Sequence, residues 1–183
     1  LIGRKFVPAL FAELARSLDI MHSCVDRCAL GNPEFFGAQG TALELALLVF
    51  GFGSHDFDLP RKNNLQNVVR FVGASSHSEV KKYFYVADLF ALLTHPDEGR
   101  EEGMGLVFLE AAACGLPSVA GKSGGVGEAV YDGQTGVVVD IYRGDKSVII
   151  AITDLLKDPM KLKTMGEQAK LRARYDFKWE AQI

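Results

Sequence analysis

Glu110 is the residue with the clearest chemical potential in this sequence. It stands inside Leu106-Val107-Phe108-Leu109-Glu110-Ala111-Ala112-Ala113-Cys114, where every near neighbour is apolar. A carboxylate in such surroundings is costly unless it is paired or hydrogen-bonded. Two partners would satisfy it: a nearby Arg or Lys in a buried ion pair, or a ligand offering two adjacent hydroxyls, as a ribose does. Glu102 lies eight positions earlier. Alone it reads as an acid before a helix start, where the helix dipole favours negative charge. Together the two form Glu-x7-Glu with a glycine-rich beginning.

Three glycine-bearing turns accompany the acids. Gly51-Phe52-Gly53 follows the apolar run Leu45–Phe50, and Glu101-Glu102-Gly103-Met104-Gly105 precedes Leu106. Gly121-Lys122-Ser123-Gly124-Gly125-Val126 follows Ser118–Ala120. Glycine admits close approach of backbone to ligand, and the N–H groups at a helix start form an anion site. Two such turns from neighbouring strands could hold the two phosphates of a diphosphate. Gly51-x-Gly53 does not complete a dinucleotide fingerprint, because position 56 is Asp56 and no helix with a clear apolar stripe follows. Lys122 is a further candidate contact, or a plainly solvated lysine.

The elements that would position these residues can be read from hydrophobic pattern. Continuous apolar runs recur at Leu45–Phe50, Val68–Val72, Leu89–Leu93, Ser118–Ala120 and Val137–Val139. Runs without in-out alternation are what strands covered on both faces look like, as in a parallel sheet. Helical spacing between them predicts helices at Phe6–Leu18, Ser78–Ala87 (with Ser76 or Ser78 as N-cap), Leu106–Cys114, Val148–Lys157 and Met160–Tyr175, the last opened by Pro159. Leu106–Cys114 is apolar almost all round and reads as a buried helix, stopped by Gly115-Leu116-Pro117. Ala29–Gly40 reads as a surface loop. This alternation predicts an α/β fold, a Rossmann-like doubly wound parallel sheet, whose ligands collect at the carboxyl ends of the strands.

Composition narrows the class. The chain has 183 residues, 48% hydrophobic and 23% charged, which is ordinary for a soluble globular domain. A net charge of −3 argues against a nucleic-acid partner, which would call for a basic domain. The longest apolar stretch is far short of the ~20 residues a bilayer requires. Three cysteines, Cys24, Cys28 and Cys114, are an odd number and suit a reducing, cytoplasmic setting. His22, Cys24 and Cys28 lack the second ligand pair of a structural zinc site, so no metal is expected. Both ends read as truncated, with Leu1-Ile2-Gly3 like the close of a strand, so residues 1–183 are read as one domain of a longer polypeptide.

The stretch EGMGLVFLEAAACGLPSVAGKSGGVGEAVYDGQTGVVVD, Glu102–Asp140, resembles the signature of glycosyltransferase family 4, retaining enzymes of the GT-B fold. VFGFG, NVVRFVG, YFYVADLFALL and DLLKDPMKLKTMGEQAKLRARYDFKW extend the resemblance over most of the chain. It implies the C-terminal, nucleotide-sugar-binding half of a GT-B enzyme, with the acceptor domain absent. By position, Glu110 would accept hydrogen bonds from the ribose hydroxyls, and Glu102 would face hydroxyls of the transferred sugar. The N–H groups of Gly103, Met104, Gly105 and Leu106 would contact sugar and phosphate, with Gly124 and Gly125 at a second helix start. Gly51, Gly53, Val72, Gly73 and Ala74 would line the base and phosphate pocket. The family supplies two cations to the diphosphate from a Gly-Arg and a later Lys-Gly. Here Gly3-Arg4 is followed at once by Lys5 and then Phe6. Either the intervening loop is shorter, or one basic residue does both jobs.

The resemblance further implies a UDP- or GDP-sugar donor, no cofactor and no metal. It implies a lipid, glycan or small-molecule acceptor, and a cytoplasmic enzyme that reaches the membrane surface through its other domain. Arg4 and Lys5, with the helix starts, would stabilise the departing phosphate, and neither glutamate serves as nucleophile. His95 reads as a loop histidine, and Phe177 and Trp179 as packing between domains. A nucleotide-sugar epimerase or phosphorylase of the same fold and a non-catalytic nucleotide-binding module are the alternatives, since fold does not fix function.

Overall fold

A computed structural model of the chain describes residues 47–50, 59–62, 66, 69–94 and 102–177. The expected helix Phe6–Leu18, the loop Ala29–Gly40, and residues Arg4, Lys5, His22, Cys24, Cys28, Gly51, Gly53, His95 and Trp179 lie outside them. The described residues fall into two compact units that divide between Ser75 and Ser76.

In the first unit, β1 (Leu47–Phe50) runs parallel to β2 (Val69–Gly73), and α1 (Leu59–Lys62) lies between them in sequence. Leu47 stands opposite Val69 and Phe50 opposite Gly73, with a register irregularity between Val49 and Phe50. Both strands fall on the apolar runs read from the sequence.

The second unit holds α2 (His77–Val86), β3 (Phe90–Leu92), α3 (Leu106–Ala113), β4 (Ser118–Gly121), α4 (Val126–Ala129), β5 (Gly136–Val139), a 3-10 turn (Ile141–Arg143), α5 (Asp145–Lys157) and α6 (Pro159–Tyr175). Its sheet is parallel throughout, in the order β3-β4-β5. All four residues of β4 are buried, which accounts for the unbroken apolar run there. Phe108, Ala120, Val126, Ala129 and Val130 form a core under the sheet's carboxyl edge. Phe90 sits edge-on between Phe84 and Phe108, with ring centroids 5.4 and 5.6 Å away. No helix among the described residues is long and apolar enough to cross a membrane.

Local signals explain the helix boundaries. Ser76 is the N-cap of α2, and the Glu79 carboxylate accepts from both the N–H (3.0 Å) and the hydroxyl (2.8 Å) of Ser76. α3 closes with the Gly115 N–H donating to the Ala112 carbonyl at 2.8 Å and the Leu116 N–H to the Ala111 carbonyl at 3.1 Å. That pair of bonds is a Schellman turn, and Gly115 adopts the positive φ (84°) it requires. Pro159 opens α6, where the Asp158 carboxylate accepts from the Lys161 N–H at 2.9 Å.

Two expectations are corrected. α5 begins at Asp145, a turn before the apolar pattern starts, because Asp145-Lys146-Ser147 carries no stripe to mark it. α3 is not buried all round: Phe108, Ala111 and Ala112 face the core, while Leu106 is 65% exposed. Glu110 and Ala113 share the stripe of Leu106 by helical spacing. Apolar composition therefore concealed an outward face.

The bonds from Ser76 hold the Glu79 carboxyl below its ordinary range, the backbone N–H contributing most. A carboxylate with a depressed folded pKa contributes stability above the ordinary glutamate range, and loses it as pH falls through the depressed value. Glu79→Ala is expected to melt below the unaltered chain at neutral pH, with the gap closing on acidification. Melts at pH 7 and at about pH 3 check this; a gap that persists unchanged at the acid end refutes it.

Candidate functional site

The site is built from two turns at the carboxyl ends of β3 and β4. The first leads into α3 through Gly105, which has φ 69°. A Cβ there would lie 2.7 Å from the ring of Phe108, a fully buried core residue. Only glycine lets the chain enter α3 at this angle over that ring.

The second turn locks onto the first. The Ser123 hydroxyl, in a buried residue, accepts from the Glu102 N–H at 3.1 Å, and the Gly125 N–H donates to the Glu102 carbonyl at 3.2 Å. The approach is backbone to backbone, since a Cβ at Gly125 would stand 2.8 Å from the Gly103 carbonyl oxygen. Glu102 is thus tied through its peptide groups, while its side chain is half-buried. The amides of Gly103, Met104, Gly105 and Leu106 donate to no backbone carbonyl among the described residues. Free amides at a helix start carry the positive end of the helix dipole and attract anions.

Glu110 lies one turn along α3. Its carboxylate is 36% exposed, and its Oε1 is 3.2 Å from Nε2 of His77. This corrects the expectation of a deeply buried carboxylate, because the stripe it shares with Leu106 faces outward. Among the described residues its partner is a histidine. His77 had no local signal in the sequence, since it is 33 positions from Glu110 and on another helix.

α4 carries the second turn and is clamped from behind. The Arg172 guanidinium, on α6, donates to the carbonyls of Glu128 and of Ala129, the latter at 2.7 Å. It also stacks 3.6 Å over the Tyr131 ring. A cation on the last carbonyls of α4 complements the negative end of its dipole. Phe177 lies on the same guanidinium, 4.9 Å from its ring centre, so its packing is at least partly within this unit. Beside α4 a cleft of about 540 Å³ is lined by Lys122, Ser123, Gly124, Tyr131 and Gln134 among others. The Lys122 N–H extends the sheet by donating to the Val139 carbonyl at 2.8 Å, and its side chain is exposed.

The second unit therefore gathers Glu102, Gly103, Met104, Gly105, Leu106, Glu110, Gly124 and Gly125. Val72, Gly73 and Ala74 stand at the carboxyl end of β2 in the first unit. Arg4, Lys5, Gly51 and Gly53 lie outside the described residues.

A family model described as glycosyl transferases group 1 matches residues 43–172. The chain belongs to this family. It is 35% identical over 147 residues to the GDP-mannose-dependent alpha-(1-6)-phosphatidylinositol monomannoside mannosyltransferase of Mycolicibacterium smegmatis, covering 74% of this chain and 37% of that protein. It is 36% identical over 144 residues to a glycogen synthase of Mycobacterium tuberculosis, covering 77% of this chain and 32% of that protein. The group 1 chain thus spans about a third of the length of these curated relatives. Among solved structures, HepE of Anabaena in complex with UDP superposes with a TM-score of 0.63 at 21% identity, over 93% of this chain and 49% of that one. The resemblance to glycosyltransferase family 4 is borne out, and the fold is the Rossmann-like half of a GT-B architecture.

Proposed function

We propose that this group 1 chain is the donor-binding domain of a retaining hexosyltransferase. It holds a UDP- or GDP-linked sugar, and an N-terminal domain brings the acceptor, whether lipid, glycan or small molecule. The observation that carries this reading is the joining of two glycine turns, backbone to backbone, at the start of α3, with Glu110 one turn further along. Amides with no backbone acceptor among the described residues suit the anionic part of such a donor, and a half-buried carboxylate beside them suits its ribose. The M. smegmatis relative is named as GDP-mannose-dependent and HepE is solved with UDP, so both nucleotides enter the test.

The chemistry follows from charge. As the C–O bond at the anomeric carbon breaks, negative charge builds on the departing β-phosphate while the sugar becomes oxocarbenium-like. Fixed donors aimed at that phosphate lower the barrier most. The amides of Gly103, Met104 and Gly105, the turn at Gly124 and Gly125, and the cations Arg4 and Lys5 fill this role. Glu102 accepts from the sugar's hydroxyls, Glu110 from the ribose, and Val72, Gly73, Ala74, Gly51 and Gly53 line the base and phosphate pocket. No metal is needed for the leaving group. The enzyme works in the cytoplasm, peripheral to the membrane through its other domain, and the chain alone binds donor without transferring it.

Titration calorimetry of UDP and GDP against the chain, with and without EDTA, tests the reading. Binding is expected to be indifferent to EDTA. Glu110→Ala is expected to weaken it about 10- to 100-fold, since hydrogen bonds to a charged group contribute about 1.5–3 kcal/mol. Unchanged affinity in that variant would remove the ribose role.

A further inference from the structure

We infer that His77 is a donor-positioning residue, which holds the Glu110 carboxylate in the orientation that distinguishes a ribose from a sugar lacking its hydroxyls. The inference rests on the ribose role proposed for Glu110 and adds to it a residue from another helix. His77 Nε2 lies 3.2 Å from Glu110 Oε1, and the His77 side chain is 82% exposed. An imidazole so open to solvent does not fill the core.

Both ends of this contact are fixed by backbone. His77 is the first residue of α2, whose opening turn is pinned on either side of it. The Glu79 carboxylate accepts twice from Ser76, and the N–H groups of Glu79 and Val80 both donate to the Ser76 carbonyl at 3.0 Å. Glu110 sits on α3, whose start is set by Gly105 and by the two bonds that tie Glu102 to Ser123 and Gly125. The two helices pack through Phe84, Val80, Val107 and Ala111. The fold therefore holds the two backbones that carry the imidazole and the carboxylate within reach of each other.

The chemistry of the pair assigns the proton. An ionised carboxylate only accepts, so the imidazole nitrogen facing it carries hydrogen. That bond uses one of the roughly four lone-pair sites of the carboxylate and leaves the others for two hydroxyls. A glutamate left to rotate must be immobilised when the ligand arrives. Ordering one such side chain in advance is worth up to about tenfold in affinity.

The test compares GDP and UDP with their 2′,3′-dideoxy counterparts by calorimetry on the chain. The unaltered chain is expected to prefer the ribonucleotide. His77→Ala is expected to lose up to about tenfold of its ribonucleotide affinity while its dideoxynucleotide affinity stays the same. His77→Gln, which retains an N–H donor at similar reach, is expected to keep most of the preference, and His77→Ala is expected to add nothing in a Glu110→Ala background. A His77→Ala chain that discriminates as well as the unaltered one, or that loses affinity for both nucleotides equally, overturns the assignment of His77 alone. An unaltered chain that binds neither diphosphate, or does not discriminate, overturns the ribose role of Glu110 and His77 with it.

Discussion

Gly125→Ala is expected to lower nucleotide affinity about tenfold or more and to reduce the melting temperature by several degrees. The backbone at Gly125 has φ −82°, which alanine adopts without strain, so the penalty is one of space. The new methyl would stand 2.8 Å from the Gly103 carbonyl oxygen, 3.3 Å from its carbon and 3.4 Å from the Met104 Cα. All three are backbone atoms of the opposing turn, and no side chain can swing aside. The turns must separate, which strains the bond from Gly125 to the Glu102 carbonyl and displaces the amides that precede α3.

Overpacking of this kind costs about 1–3 kcal/mol, and a misplacement near 1 Å can cost about 10²-fold where geometry is critical. Gly127→Ala is the control. It lies two residues on, in α4, with nothing within 4 Å of the added methyl. It is expected to be neutral or to stabilise by up to about 1 kcal/mol, because glycine is a poor helix former. Equal melting temperatures and equal nucleotide affinities for the two variants would show that the turns are not in contact as described.

Gly166→Ala is expected to be strongly destabilising, although it replaces a glycine inside a helix. In the middle of an isolated helix this change would gain about 1 kcal/mol. Here the methyl would fall 2.2 Å from the Gly115 carbonyl oxygen and 3.3 Å from the Pro117 Cδ. Gly115 belongs to the Schellman turn that ends α3, and its two hydrogen bonds leave it little room to move. α6 packs there through Met165, Gly166 and Ala169, all buried, so the helix itself has to retreat. A net loss of about 3 kcal/mol, the upper part of the overpacking range, corresponds to a fall of about 6–12 °C for a domain of this size. Calorimetric melting reads it directly. A melting temperature equal to or above that of the unaltered chain would mean that α6 does not lie against the turn.

Both results concern close approaches between segments far apart in sequence, and this is where reading the sequence runs out. The amino-acid sequence by itself determined the parallel strands, because each falls on a short, mainly apolar run bounded by turn residues. It determined the end of α3 from Gly115 and Pro117 and narrowed the cap of α2 to Ser76 or Ser78, because turn chemistry is local; the structure chose Ser76. It also marked Glu102, Glu110 and the glycine turns, because a carboxylate in an apolar run and paired glycines are unusual at any position.

The tertiary structure alone decided three things. α4 has four residues, too short for a helical period to register. The outward stripe of α3 was hidden because Leu106 and Ala113, which flank Glu110 on it, are as apolar as the residues that face the core. The partners of the marked residues were silent as well: Ser123 for Glu102, Arg172 for α4 and His77 for Glu110. Contacts bridging tens of residues depend on how packed helices and strands superimpose in space, and no spacing along the chain encodes that.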